Sequence, residues 1–131
     1  MIFVFGSNEG GIHGLGAAQY AYRNEGAVLG KGNGRMGNSY AIPTKDVRMH
    51  RGKLSVGQTL PIVRVGLYVN DFIKYATAHP ELEFKVTQIG CGHAGLKSSE
   101  VAPLFVGAPD NCHFDTAWAQ YLPGKRFWGT F

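Results

Sequence analysis

Two glycine-rich turns and one lysine are the residues of this chain best suited to chemistry on an anion. The first turn, GSNEGGIHGLG over residues 6–16, supplies Gly10, Gly11, Gly14 and Gly16 together with Asn8 and His13. The second, IGCGHAGL over residues 89–96, supplies Gly90, Cys91, Gly92, His93, Ala94, Gly95 and Leu96. A glycine turn leading from a strand into a helix lets backbone N–H groups converge on an oxygen anion, and the helix dipole adds to the attraction. A diphosphate is the group such turns would hold. Between them lies YAIPTKD, in which Thr44, Lys45 and Asp46 follow a proline. Lys45 has two readings, a phosphate contact or a nucleophile whose neighbours have stripped its proton.

The remaining polar residues each carry an ordinary alternative. Asn8 is read as a ligand contact, against an Asx turn that merely shapes its loop. His13 either reaches ligand or locks its own loop, and the sequence favours neither. Cys91 sits among backbone dipoles that lower a thiol pKa, yet no histidine and acid pair is arranged around it, so a small packing residue is expected. Cys112 and His113 are adjacent and offer no tetrahedral set, so neither a metal nor a cofactor is expected. The opening turn lacks a GKS or GKT ending, and no ribose-binding acid stands at the distance a GxGxxG turn requires. A P-loop or dinucleotide-binding Rossmann site is therefore not expected. Bulk at Gly14 should strain a positive φ or block ligand.

The elements that must position these residues read as alternating strands and helices. Ile2–Phe5 is an unbroken apolar run ending at Gly6, the mark of a strand buried on both faces. Leu15, Ala18 and Tyr22 recur at helical spacing, with Ala17 and Ala21 on a small face and Gly26 suited to a C-cap. SYAIPT predicts a short strand ending by Pro43. KDVRMHRGK then reads as a basic loop carrying Lys45, Arg48, His50, Arg51 and Lys53, opposed only by Asp46. Ile62, Val65, Val69, Phe72, Ile73 and Ala76 form the clearest helical stripe, stopping at His79-Pro80. EFKVTQIG predicts a strand, and a helix capped at Ser98 or Ser99 follows the second turn. NCHFDTAWAQYLPGKRFWGTF predicts a short strand, a short helix around Trp118 and an aromatic tail docked on the core. The expectation is a single α/β domain with a mostly parallel sheet and its loops at the strands' carboxyl ends.

Composition sets the outer bounds. The 131 residues suit one domain with one core, and the 19 glycines cluster in blocks without a period. A formal charge of +4 favours an anionic ligand but is common on ordinary surfaces. No run approaches the roughly 20 apolar residues that span a bilayer, and no basic leader precedes Ile2. Two cysteines are too few for a disulfide framework, so a cytoplasmic protein with reduced thiols and no membrane partner is expected.

GSNEGGIHGLGAAQYA resembles the early loop and helix of macrodomains, and IGCGHAGLKSSEVAPLF is similar to their later phosphate-binding loop and helix. The second run is closest to the terminal ADP-ribose glycohydrolase branch, which also carries a strand ending in Thr-Lys, matched here by Thr44-Lys45. The three segments cover about a third of the chain. The resemblance implies a compact three-layer α/β/α macrodomain-like fold that binds ADP-ribose or a related adenine dinucleotide or cyclic nucleotide. It implies that the first loop surrounds the distal ribose and the second the diphosphate. In that branch a lysine attacks the anomeric carbon, the position Lys45 matches, and an aspartate assists from the position that is Ala94 here. His93 or Asp46 is the available substitute. Two outcomes stay open: hydrolysis of an ADP-ribosyl linkage through Lys45, or sequestration of a nucleotide that is returned unchanged. RNA binding by the basic loop and aromatic tail is a weaker third reading, nucleic acid is not the expected partner, and the tail permits a homodimer.

Overall fold

Strand β1 (Ile2–Asn8) shows in four residues why this chain must fold with helices on both faces of its sheet. Ile2 and Val4 point into the larger apolar core, while Phe3 and Phe5, one residue out of phase, point into a smaller one. In the computed structural model, which describes Met1–Phe131, helix α1 (Gly16–Asn24) covers the smaller core and helix α2 (Ile62–Ala78) the larger. Short strand β2 (Gly34–Met36), long strand β3 (Ser39–His50) and strand β4 (Lys53–Thr59) lie between them in the chain. Strand β5 (Phe84–Val86), helix α3 (Ser98–Val101) with a 3-10 turn at Ala102–Phe105, strand β6 (Cys112–Asp115) and strand β7 (Arg126–Gly129) complete the domain.

The seven strands form one mixed sheet in the order β2-β3-β1-β5-β6-β7, with β4 paired to β3. β1 runs parallel to β3 and β5, β5 to β6, and β6 to β7, while β2 and β4 are antiparallel to β3. From β1 the chain steps one way to β3, then doubles back past β1 to β5. Right-handed crossovers in opposite directions must leave their helices on opposite faces, which accounts for α1 and α2. The adjacent carboxyl ends of β1 and β5 are therefore a topological switch point.

Several local expectations are corrected. β3 does not stop at Pro43 but continues to His50, because Pro43 falls between the last pair with β2 (Gly34 opposite Ala41) and the first with β4 (Lys45 opposite Thr59). No antiparallel neighbour asks for its missing N–H. The basic segment is consequently one half of a β-hairpin rather than a loop. α1 buries Ala18 and Ala21, with Ala17 packed beside them, and leaves Leu15 and Tyr22 exposed, since only the alanine face approaches the sheet closely enough. The short helix read around Trp118 is a single 3-10 turn (Thr116–Trp118) in which Trp118 is fully buried. The α2 stripe holds as read: Val65, Val69, Phe72 and Ala76 are all fully buried. No helix is long and apolar enough to cross a membrane.

Candidate functional site

At the switch point the carboxyl end of β1, the middle of β3 at Thr44 and Lys45, and the chain leaving β5 open onto a cleft of about 620 Å³. That volume lies within the range of small-molecule sites. The opening turn, the second turn and Lys45 all contribute to its walls. Close backbone approach makes this possible. A Cβ on Gly6 would stand 3.2 Å from the Gly90 amide nitrogen, so a side chain there would push the two turns slightly apart at the floor.

The opening turn divides its residues between shaping itself and facing the cleft. The Asn8 amide accepts from the N–H groups of Gly10 and Ile12 at 3.2 and 2.9 Å and donates to the Ile12 carbonyl at 2.8 Å. Asn8 borders the cleft, but its side chain acts as the loop's internal brace. His13 is buried away from the cleft, its Nε2 held between the carbonyls of Val28 and Lys31 at 2.9 and 3.0 Å and its ring edge-on to Phe5. Gly11, at φ +69°, presses so closely on Gly30 and Lys31 that a side chain there would overlap their backbone. A Cβ on Gly10 would lie 2.7 Å from Val47. Gly14 and Gly16 do border the cleft. Gly14 has open space around it and no positive φ, contrary to the strain expected from sequence; Gly16 has φ +56°.

Helix α1 begins beside the cleft without a side-chain cap, Leu15 having no acceptor to offer. The N–H groups of Leu15, Gly16, Ala17 and Ala18 make no hydrogen bond within the chain. Such free donors at a helix N-terminus attract anions. Across the cleft, the second turn repeats the arrangement. Gly90, at φ +75°, starts a tight loop closed by Gly95 N–H to Gly92 carbonyl and Leu96 N–H to Gly90 carbonyl, at 3.0 and 2.9 Å. Within it the N–H groups of Gly92, His93 and Ala94 are unpaired. His93 is exposed and lies near Gly16, joining the two turns at the rim. Gly95 and Leu96 close the loop from outside the cleft, and Leu96 packs against the core.

Cys91 borders the cleft but is held as a thiol. Burial pushes its pKa up, opposed by the Ser98 hydroxyl that donates to Sγ at 3.5 Å. Ser98 in turn accepts from Trp118 Nε1 at 3.1 Å, so this serine links the turn to the core. The packing role expected for Cys91 fits this arrangement.

Lys45 is the only lysine, arginine, aspartate or glutamate on the cleft wall, and its amine forms neither an ion pair nor a hydrogen bond within the chain. Two register breaks bracket it. Against β1, Ser7 faces Pro43 and Asn8 faces Lys45, so Thr44 is the extra residue. Against β4, Lys45 faces Thr59 and Val47 faces Val56, so Gly57 and Gln58 together oppose Asp46. Such bulges re-aim side chains. The Asp46 carboxylate turns into this bulge, accepting from Gln58 N–H at 2.7 Å and from Arg48 at 3.2 Å, and these bonds hold its pKa below the usual carboxylate range. A Cβ on Gly57 would displace the Asp46 carboxylate from this position. Asp46 is thus outside the cleft while its neighbour Lys45 is inside. Thr44 is buried beneath them, its hydroxyl donating to the Ser7 carbonyl at 3.2 Å.

Sequence reasoning missed part of the wall. Val56 and Gly57 reach it because β4 folds back beside Lys45, and the isolated Gly57 inside a strand was the available signal of a bulge. Gln88 and Phe131 also border the cleft, and both are fixed by one buried carboxylate. Asp115 accepts from Gln88 Nε2, Thr130 Oγ1 and the Phe131 N–H through Oδ2, at 3.3, 3.0 and 3.1 Å, and from Ala117 N–H through Oδ1 at 2.9 Å. Phe131 packs edge-on to Phe3 and Tyr20. Nothing local in the sequence ties residue 131 to residue 8.

Comparisons of the chain with protein-family models, with curated proteins and with solved structures find no match.

Proposed function

We propose that the cleft binds ADP-ribose or a closely related adenine nucleotide, with the diphosphate between the two turns and the distal ribose along the opening one. The observation that carries this reading is the pairing of two sets of unbonded backbone N–H groups, Leu15–Ala18 and Gly92–Ala94, across a cleft whose only lysine, arginine, aspartate or glutamate side chain is Lys45, its amine unpaired. Neutral donors with one cation suit a diphosphate diester, which carries two negative charges and many acceptor oxygens. The sequence resemblance to macrodomains points the same way, and the helices on both faces of a mostly parallel sheet are consistent with a compact three-layer form of that fold.

Binding without turnover is the reading the wall favours. Hydrolysis through Lys45 would require a base to take its proton and an acid to protonate the leaving group. Of the side chains on the wall only His93 and the Cys91 thiol could exchange a proton, and burial pushes the thiol's pKa up; Asp46 is committed to the β4 bulge and Ala94 has no functional group. The ligand is therefore held and released unchanged, with Lys45 as its charge partner. Thermal melts and calorimetry with ADP-ribose, cyclic ADP-ribose, NAD and AMP test this. A ligand at a hundred times its Kd adds about 2.7 kcal/mol of stability, so a clear upward shift is expected for at least one of them. Unmoved melting curves with all four remove the proposal. Mass spectrometry of ligand recovered after incubation separates retention from cleavage. In a hydrolase, Lys45→Ala abolishes turnover with ligand still bound; in a binder it weakens affinity alone.

A further inference from the structure

Beyond Lys45, β3 leaves the sheet: its last pair with β1 is Asn8–Lys45, and from Val47 onward its only partner is β4. The result is a two-stranded ribbon whose residues from Arg48 to Val56 are all exposed. An isolated ribbon gains little from packing, so its composition reflects what it touches. Opposed pairs sort that composition by face. Val47 with Val56 and Met49 with Leu54 form an apolar face, while Arg48 with Ser55 and His50 with Lys53 form a polar, basic one. At the tip, Arg51 and Gly52 both have positive φ, the geometry of a two-residue hairpin turn. Arginine is a poor choice for the first of these positions, where Asn, Asp or Gly is preferred, yet it places a cation at the ribbon's end.

We propose that this ribbon extends the cleft into a binding surface for single-stranded nucleic acid, with a terminal nucleotide in the cleft, the next bases against Met49 and Leu54, and phosphates held by Arg51 at the tip and by Lys53 reaching round the free edge of β4. The surfaces are continuous: Val56 belongs both to the cleft wall and to the apolar face, which is exposed onward at Leu54 and Met49. Apolar side chains beside cations suit unstacked bases on a phosphodiester chain. An anionic bilayer offers similar chemistry, but the apolar face leans over the opening turn, with Val47 and Leu54 against Gly10. A single strand running from the cleft can follow the part of this face left exposed at Leu54 and Met49; a flat membrane would meet the opening turn first. The proposal rests on the nucleotide reading of the cleft for the position of the strand's end, and the ribbon is tested separately.

The variant is Arg51→Asn combined with Lys53→Ser. Asparagine tolerates the left-handed region better than arginine, so the fold should melt at the same temperature or higher. Binding of a fluorescent single-stranded oligomer of about 8 nucleotides is measured by anisotropy from about 50 to 200 mM salt. Affinity at low salt should fall about tenfold, and the slope of log K against log salt should become shallower by about 1.4, for two lost phosphate contacts. Calorimetric affinity for ADP-ribose should not change. Equal oligomer affinity and slope in variant and parent overturn the proposal, as does binding of the parent to phosphatidylserine vesicles but not to the oligomer. If the parent ignores ADP-ribose yet binds the oligomer through Arg51 and Lys53, the ribbon surface is upheld and the reading of the cleft falls.

Discussion

The two glycine turns look alike in sequence and are used differently. In the opening turn, Gly10 and Gly11 serve the chain itself, Gly10 under the ribbon and Gly11 against Gly30 and Lys31, while Gly6 at the floor and Gly14 and Gly16 on the wall border the cleft. In the second turn, Gly92 and Gly95 have nothing within 4 Å of where a Cβ would stand. At those two positions glycine supplies conformational freedom and uncovered N–H groups rather than close contact; Gly90 alone, at the cleft floor, is pressed by Leu96 and Thr44. A cluster of glycines therefore marks two separable properties, tight approach and open donors, and substitution tells them apart.

The largest expected effect is at Gly11. Alanine there meets backbone atoms that cannot step aside and must hold φ near +69°, so a loss of about 3 kcal/mol is expected in chemical denaturation. Gly92→Ala, with open space and no positive φ, should stay within about 0.5 kcal/mol of the parent. Equal costs at the two sites would erase the distinction between the turns.

His13 is the next test of how much the opening turn depends on internal bracing. His13→Ala leaves the buried carbonyls of Val28 and Lys31 without their shared donor and removes a ring packed on Phe5. A loss of about 2 kcal/mol is expected, again by denaturation. The second turn contains no equivalent: His93 is exposed and makes no hydrogen bond within the chain, so His93→Ala should leave the midpoint unmoved while weakening nucleotide binding.

These differences mark the limit of what the sequence made legible. The four apolar residues of β1 and the α2 stripe were readable because burial repeats with the period of the element. The ribbon was not, although Val47, Met49, Leu54 and Val56 alternate around the two residues of the turn. Its cations drew attention to charge, and Pro43 argued for a strand end whose cost depends on where neighbouring strands stop. The anion turns could be placed at strand ends by topology alone. Which of their glycines and histidines face the cleft could not, because it depends on contacts with Lys31, Val47 and Gly90, far away in the chain. Asp115 and Phe131 illustrate the same point at the opposite wall.

A smaller effect separates the turns by pH. Glu9, in the opening turn, accepts from the Tyr68 hydroxyl and from Arg64 on α2. The Tyr68 hydrogen bond above all, with Arg64 adding, holds its carboxyl below the usual range against a partial desolvation that pushes it up. A folded pKa below the unfolded one contributes stability that is present above the unfolded value, near 4.3, and is lost as pH falls through the folded value. Glu9→Gln should therefore melt below the parent at pH 7, and the difference should close below about pH 4. A gap that persists undiminished at low pH would mean that the tie to α2 is not ionic. The second turn carries no carboxylate, so its substitutions should show no such pH dependence.

The smallest effect on stability is expected at Gly14, and it bears most directly on the cleft. With no neighbour within 4 Å of where a Cβ would stand and no positive φ, Gly14→Val should cost about 0.5 kcal/mol or less. The same open space belongs to the cleft, beside the free N–H groups that begin α1. A branched side chain there would stand in the path of a ribose or phosphate, so nucleotide affinity should fall at least tenfold while the melting temperature stays put. Gly11→Ala should do the reverse in relative terms, with a large loss of stability and, in whatever fraction remains folded, near-parental affinity. Calorimetry on the folded fraction of each variant, beside its melting curve, makes the comparison. If Gly14→Val binds ADP-ribose as tightly as the parent, the opening turn is a brace throughout, and the anion site reduces to the second turn and Lys45.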